Sequence, residues 1–197
     1  MEWSENIIIA DADYVDRVAF DLTVNFERMI GRRIPPADMA RWVECIALDG
    51  GMRPVPPDSG VSTQVVLIHH VRSERMENFT PGNYATEING KAFSGNLGEF
   101  VFTCMSTEGL TTNEALLHDV VQAVCQAREV KRMMVVADEQ HIDTLRRLLR
   151  QTADGGATKH ITVFAMQPLA GGQFAQELLG YSLMAALGVK SSELHPE

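Results

Sequence analysis

Short apolar runs alternate with longer segments of helical spacing along the chain. The apolar runs lie at residues 6–10, 63–71, 99–104, 132–137 and 160–166. Such runs are typical of strands that are buried on both faces. Between them, apolar residues recur every three or four positions, which is the spacing of amphipathic helices. This alternation predicts an α/β fold: a three-layer, doubly wound, mainly parallel five-stranded sheet with helices on both faces.

Capping and turn residues mark where the helices begin and end. Gly31 is expected to end the first helix, and Pro35 to begin the second. Thr111 and Glu114 have the spacing of a capping box, which predicts that the third helix begins at residue 112. Apolar residues over 172–187 predict the last helix. Because they lie on several of its sides, we expect that helix to be buried or to form a homodimer interface.

Residues 1–190 are expected to form a single α/β domain, followed by a C-terminal tail at 191–197. Residues 72–98 depart from the regular pattern, because they are rich in Gly, Pro and Asn. A long irregular excursion of this kind serves either as a lid over a site or as a cover for a sheet edge. The sequence leaves both roles open.

The composition limits which cellular compartment and which binding partners are expected for the protein. The chain has 197 residues, a formal net charge of −9 and three cysteines without metal-ligand spacing. Sparse cysteines favour the reducing cytoplasm, and no apolar run is long enough to span a bilayer. The negative charge argues against a broad nucleic-acid surface, which depends on clustered Lys and Arg. Arg146, Arg147 and Arg150 are either a local basic rim or the solvated face of a helix.

Acidic residues follow two of the predicted strands. Asp11 and Asp13 come after the first strand, and Asp138 and Glu139 after the fourth. These strands are commonly neighbours in a doubly wound sheet, and ligands bind at the carboxyl ends of such strands. Asp11 and Asp138 would then reach one cation, and carboxylate oxygens suit Mg²⁺ or Mn²⁺. The alternative is that the acids cap the helices that follow; Asp11 is expected as a ligand and Asp13 as a cap.

The order of elements and acids resembles a PIN-like fold, most of all its NYN branch of metal-dependent ribonucleases. That pattern has an Asp after the first strand, a helix with acids six residues apart, and an Asp ending the fourth strand. Asp11, Asn113, Asp119 and Asp138 occupy these positions. The resemblance implies activity on RNA or a small phosphorylated ligand. It also implies a catalytic Mg²⁺ or Mn²⁺ held by Asp11, Asp119 and Asp138, with Asp13, Asn113 and Glu139 in support.

Three positions depart from the PIN-like pattern. Tyr14 stands where the family usually places an Asn, Asn113 replaces the first acid of the helix pair, and Gln140 replaces a second acid after the fourth strand. A site that has lost several acids binds a metal weakly or not at all. The resemblance therefore predicts the fold more firmly than the activity. The competing hypothesis is a non-catalytic binding or assembly domain that keeps the fold.

The first motif is also similar to that of haloacid-dehalogenase-type phosphatases. In that comparison Asp11 would be the nucleophile and Asp13 the general acid. Thr103 would supply the hydroxyl of the second motif, and Asp138 would be a late metal ligand. Lys131 does not fit, because it lies only seven residues before Asp138, inside or beside the same strand. The phosphatase is therefore the second candidate among the enzymes.

Overall fold

A seven-stranded sheet forms the centre of the part of the chain that the structure describes. The computed structural model describes residues 2–109, 111–153, 159–172 and 174–194. The strands are β1 (Asn6–Asp11), β2 (Ala37–Asp38), β3 (Ser62–His69), β4 (Phe79–Thr80), β5 (Ala92–Gly95), β6 (Gly98–Ser106), β7 (Arg132–Val136), β8 (His160–Ala165) and β9 (Ala175–Leu178). The helices are α1 (Ala12–Ile30), α2 (Met39–Asp49), α3 (Asn113–Gln126), α4 (Ile142–Ala153), α5 (Leu179–Ala186) and α6 (Ser191–Leu194). Strands β2 and β4 pair with each other, apart from the large sheet.

The order of strands across the large sheet is β5-β6-β3-β1-β7-β8-β9. Every neighbouring pair is parallel except β5 and β6. The chain runs outward from β1 through β3 to β6, and then returns to β7 on the other side of β1. The predicted α/β class with a mainly parallel sheet is confirmed. The described sheet has seven strands rather than five, because β5 and β9 add one strand at each edge.

Alternate residues of the strands build two cores, one on each face of the sheet. On β1, Ile8 and Ala10 belong to the first core, whereas Ile7 and Ile9 belong to the second. Helices α1, α2 and α5 cover the first face, and α3 and α4 cover the second. Burial of these apolar side chains is the main force that holds the helices against the sheet. As a result, α1 and α3 begin at the same edge of the sheet but on opposite faces.

The sequence predicted the C-terminal end of α1 correctly but not the N-terminal start of α2. Gly31 ends α1 as predicted, with a φ of 70° that glycine adopts without strain. Helix α2 begins at Met39 rather than at Pro35. The reason is that β2 pairs with β4 just before the helix, and the Asp38 side chain then accepts a hydrogen bond from the Arg41 amide.

Two further helix starts are corrected by the structure. Thr112, not Thr111, caps α3, because its hydroxyl accepts a hydrogen bond from the Ala115 amide at 3.2 Å. The predicted last helix, 172–187, is wrong in its first half: β9 pairs parallel to β8, and α5 begins only at Leu179. The backbone hydrogen bonds offered by the edge of β8 outweigh the helical spacing there. Residue 173 lies outside the described residues.

The irregular segment 72–98 crosses the first face and ends as β5 on the outer edge of β6. It also contains β4 and one helical turn, Tyr84–Ile88. Asp16 on α1 holds this segment, because its carboxylate accepts hydrogen bonds from the Asn78 amide nitrogen at 2.8 Å and from Asn78 Nδ2 at 3.1 Å. The segment therefore covers a sheet edge, which is one of the two expected roles.

The expected C-terminal tail begins with a short helix, α6. Arg32 Nε lies 2.8 Å from Glu193 Oε1, so this helix is joined to the residues that follow α1. Residues 195–197 lie outside the described residues. None of the described helices is both long enough and apolar enough to cross a membrane.

Candidate functional site

The reversal of chain order between β1 and β7 defines a crevice at the carboxyl ends of these strands. At such a point the two crossovers leave the sheet on opposite faces, and open α/β sheets bind their ligands in the gap. Asp11 is the last residue of β1, and Asp138 follows β7 by two residues. Both acids therefore lie at the position in this sheet that is best suited to a ligand.

One amide group joins two of the carboxylates. Asn113, the first residue of α3, donates from Nδ2 to Asp11 Oδ1 at 3.0 Å and to Asp13 Oδ2 at 2.8 Å. These contacts join residues that are 102 and 100 positions apart in the chain. The NH₂ group acts between the two carboxylates as a small cation would. We refer to Asp11, Asp13 and Asn113 as the acid–amide cluster.

Backbone amides hold both carboxylates of the cluster in place. Asp11 caps α1 by accepting from the Tyr14 amide at 3.1 Å, and Asp13 accepts from the His70 amide at 2.7 Å. This corrects the expectation that Asp13 is the cap: Asp11 is the extended residue directly before the helix. Burial raises the pKa of Asp11; the hydrogen bonds from Tyr14 and Asn113 oppose this rise, and the charge of Asp13 adds to it. A cation bound beside these carboxylates would favour their ionised form.

The other end of the Asn113 amide has no partner. Within the described chain, Asn113 Oδ1 is buried and accepts no hydrogen bond. An unpaired buried acceptor costs about 1–3 kcal/mol. Because the nitrogen and oxygen of an amide are similar in size, half a turn of the group would direct Oδ1 towards Asp11 and Asp13. Three oxygen atoms would then face one point, and oxygen is the ligand that Mg²⁺ and Mn²⁺ prefer.

An arginine that the sequence pattern does not single out binds Asp138. Arg17 Nη2 donates to Asp138 Oδ2 at 3.0 Å, and Asp138 Oδ1 accepts from the Gln140 amide at 3.0 Å. The guanidinium carbon lies 5.5 Å from the centre of the Tyr14 ring, and the Arg17 side chain is 60% exposed. Arg17 therefore places a positive charge at the mouth of the crevice. Its position on α1, one turn after Asp13, is the signal that could have revealed it.

Asp119 and Glu139, which were also expected at the site, form no hydrogen bond with the cluster in the described chain. Asp119 is an exposed residue of α3. Six positions along a helix correspond to one and two-thirds turns, so Asp119 and Asn113 lie on different sides of α3. Glu139 Oε1 accepts from the Gln167 amide at 2.6 Å, which ties it to the loop after β8. The described residues contain no group of three or more His, Cys, Asp or Glu side chains arranged to hold a metal.

Thr103 and Lys131, which enter the comparison with phosphatases, lie away from the crevice. Thr103 is inside β6, in register with Val66, and its hydroxyl accepts from Gln64 Nε2 at 3.3 Å. Lys131 directly precedes β7 and forms an ion pair with Glu5, which directly precedes β1. The ion pair is therefore at the amino ends of these strands, opposite to the crevice.

The fold and the crevice define the class of protein: a doubly wound α/β protein with an acid–amide cluster and an arginine at its topological switch point. The agreement with the PIN-like resemblance is at the level of an α/β fold with a mainly parallel sheet. The chain belongs to DUF6621, which is described as a family of unknown function and whose model matches residues 1–194. No curated protein and no solved structure matches the chain.

Proposed function

We propose that this protein is a PIN-like, NYN-type phosphodiester hydrolase that binds Mg²⁺ or Mn²⁺ at the acid–amide cluster and acts on RNA. The observation that carries the proposal is the position of the Asn113 amide between the carboxylates of Asp11 and Asp13 at the switch point of the sheet. Further support comes from Arg17, because a phosphate substrate requires a positive group beside the acids. The proposal thus joins a cation site and an anion contact in one crevice.

The residues that would hold the cation are Asp11, Asp13 and Asn113. This set differs from the one that the resemblance implies, because Asp119 is exposed on another side of α3 and Asp138 is paired with Arg17. When bound, Mg²⁺ or Mn²⁺ would polarise a phosphoryl oxygen and lower the pKa of a water molecule. The protein supplies the orientation: two backbone amides keep the carboxylates directed towards the same amide group.

Arg17 and Asp138 would contribute to the reaction as an ion pair that the substrate opens. Phosphate and carboxylate oxygens accept the same hydrogen bonds from a guanidinium, so a substrate phosphate competes with Asp138 for Arg17. Asp138 Oδ2 would then be free to accept a proton from the attacking water. Arg17 would meanwhile neutralise charge on the phosphate. Arg17 is exposed at the mouth of the crevice, where a chain of RNA can reach it, and opening the ion pair would uncover Asp138.

The experiment that tests this function is a Mn²⁺ titration by calorimetry, together with hydrolysis of single-stranded RNA. We expect the wild-type protein to bind Mn²⁺, and Asp11→Asn and Asp13→Asn to weaken binding by about tenfold or more, which corresponds to about 1.4 kcal/mol. RNA hydrolysis should fall with the affinity for the metal. The matched control is Asp119→Asn, the same substitution at the exposed acid on α3.

Two results of this titration would contradict the proposal. A wild-type protein that binds no Mn²⁺ would exclude the cation site, and so would an affinity that Asp11→Asn and Asp13→Asn leave unchanged. If Asp119→Asn weakens binding as much as Asp11→Asn does, the ligand set is the one implied by the resemblance rather than the acid–amide cluster.

A second function, a non-catalytic binding or assembly domain, is favoured by the way in which the acids of the crevice are already paired within the protein. The acids of the crevice already have partners in the protein: Asn113 donates to Asp11 and Asp13, and Arg17 donates to Asp138. Such a domain needs no cation. It would bind no Mn²⁺ and cleave no RNA, and light scattering after size-exclusion chromatography would then test whether it forms a homodimer.

A further inference from the structure

A polar cavity adjoins the acid–amide cluster on the first face of the sheet. It lies between the carboxyl ends of β3 and β6 and the helical turn Tyr84–Ile88, and its volume is about 480 Å³. That volume is typical of small-molecule sites. The two features share the end of β3, because the residue after the lining His69 is His70, whose amide donates to Asp13. A ligand in the cavity would therefore lie beside the cluster.

Two aromatic residues of the cavity wall have polar atoms without a hydrogen-bond partner of normal geometry in the described chain. The rings of His69 and Tyr84 stack with their centres 3.8 Å apart. His69 Nδ1 lies 3.1 Å from the His70 carbonyl oxygen, which only accepts; in the neutral ring the proton is therefore on Nδ1, and Nε2 is an acceptor. Tyr84 is 2% exposed, and its buried hydroxyl has no hydrogen-bond partner of normal geometry in the described chain, although the Ser73 side chain lies close enough to lower its pKa.

Two asparagines of the wall leave donors for a ligand. Asn83 Oδ1 accepts from the Thr86 amide at 2.9 Å, and Asn89 Oδ1 accepts from the Cys104 amide at 2.9 Å. The side-chain oxygens are thereby used within the protein, and the NH₂ groups are left to donate. Together with His69 Nε2, they provide both donors and acceptors in one cavity.

The charges around the cavity select against anions. None of the described lining residues is Lys or Arg. Burial raises the pKa of Tyr84, and the negative charges of Asp13 and Asp16 raise it further, so these acids lie close to the wall. Burial also raises the pKa of Cys104 to about 12, which keeps this thiol protonated and unreactive at neutral pH. Glu74 also lines the cavity, so the cavity suits a polar ligand that carries no negative charge and is held without a covalent bond.

We propose that this cavity binds the nucleobase and ribose of the nucleotide next to the scissile phosphate. The inference rests on the proposed function, because it takes the adjoining cluster as the site of the phosphodiester. The edges of an unstacked nucleobase present donors and acceptors side by side, and these match His69 Nε2 and the NH₂ groups of Asn83 and Asn89. The uncharged nucleoside occupies the cavity, whereas the phosphate lies near Arg17.

The experiment uses adenosine and uridine as probes of the metal-free protein. Saturation-transfer NMR measures their binding, and the imidazole signals of His69 report where they bind.

We expect His69→Ala to weaken binding by about threefold to tenfold, the effect of losing one hydrogen bond between uncharged groups. Asn83→Ser should do the same, because it removes the NH₂ donor but keeps an oxygen that caps the turn. The control is His160→Ala, at an exposed histidine that starts β8.

The outcomes separate this inference from the proposed function. Nucleosides that leave the His69 signals unmoved, or that bind His69→Ala and His160→Ala equally well, would overturn it. Asp11→Asn should lose Mn²⁺ binding but still bind adenosine. If the protein cleaves RNA while adenosine does not reach His69, only the nucleoside inference fails. If adenosine binds at His69 but Mn²⁺ is not bound, only the proposed function fails.

Discussion

At the scale of single residues, the candidate site depends on Asn113 as much as on its acids. Its Nδ2 donates to both Asp11 and Asp13, while its Oδ1 is buried without a partner. In the sequence pattern Asn113 counts as the loss of an acid. In the structure, its amide donates to both carboxylates and so holds them close to each other. The amide therefore reduces the repulsion between the two carboxylates by donating a hydrogen bond to each of them.

Asn113→Asp should destabilise the metal-free protein and strengthen its binding of Mn²⁺. Three carboxylates would then face one another, and two acceptors would lose their donor, at a cost of about 1–3 kcal/mol. That cost exceeds the roughly 0.3–1 kcal/mol that an acid gains at the N-terminus of a helix. Urea unfolding with and without Mn²⁺ measures both effects. Asn25→Asp makes the same change at an exposed position of α1; equal losses in the two variants, or no rescue by Mn²⁺, would contradict the prediction.

Asp11 should make the folded protein less stable as the pH rises. Burial raises its pKa above 3.8, so the folded state holds the proton more tightly than the unfolded chain does. This stabilisation is complete below pH 3.8 and is lost as the pH rises through the folded-state pKa. Asp11→Asn can still cap α1 but does not titrate. The unfolding free energy of the wild type minus that of the variant should therefore fall over this window; a constant difference would refute the assignment.

At the scale of elements, the starts of two helices position the cluster. Helix α1 follows β1 without a linker, and its cap is Asp11; α3 begins at Asn113, directly after its cap Thr112. Both N-termini lie at the carboxyl edge of the sheet, on opposite faces. Their partial positive charges favour the carboxylates of the cluster and would also favour a phosphate. The site is thus held by strand ends and helix starts rather than by a long loop.

Thr112→Ala should cost about 1 kcal/mol of stability, the usual effect of losing an N-cap side chain. Its hydroxyl accepts from the Ala115 amide, and this hydrogen bond would be lost. Thr111→Ala is the matched control and should change the free energy of unfolding by less than about 0.5 kcal/mol, as exposed substitutions usually do. Chemical denaturation of both variants measures the two free energies of unfolding. A larger loss of stability in Thr111→Ala than in Thr112→Ala would instead support Thr111 as the capping residue, as the sequence predicts.

At the scale of the whole molecule, the reversal of strand order and the negative charge together limit the partners. The crevice lies between β1 and β7, and the chain as a whole has a formal net charge of −9. Long stretches of the surface therefore repel a polyanion. An RNA partner would be bound mainly at the crevice and the adjoining cavity, over very few nucleotides.

RNA binding should therefore depend only weakly on salt. For single strands, each phosphate contact adds about 0.7 to the slope of log K against log salt. With one phosphate contact, at Arg17, we expect a slope magnitude of about 0.7 in a fluorescence-anisotropy titration. Arg17→Gln should remove most of it, whereas Arg150→Gln, at an exposed position of α4, should leave it unchanged. A steep slope that falls in Arg150→Gln would instead assign binding to the predicted basic rim on α4.

The sequence by itself determined the elements and the edge of the sheet on which the polar residues lie. Apolar runs and helical spacing predict the central strands and the long helices correctly, because both patterns are local consequences of burial on one or two faces. The glycine that ends α1 is equally local. Asp11 and Asp138 follow strands in the chain, so their place at the carboxyl ends follows directly.

Only the tertiary structure decided how these residues are paired. Asn113 meets Asp11 across 102 positions and Arg17 meets Asp138 across 121, and both contacts depend on the strand order and on which face each helix covers. β9 likewise exists because β8 offers it a free edge. Spacing along one chain contains no information about such distant neighbours, since hydrogen bonds and ion pairs depend on distance in space. For this reason the sequence could predict an acidic crevice, but not that an asparagine would donate to two of its acids and an arginine would pair with a third.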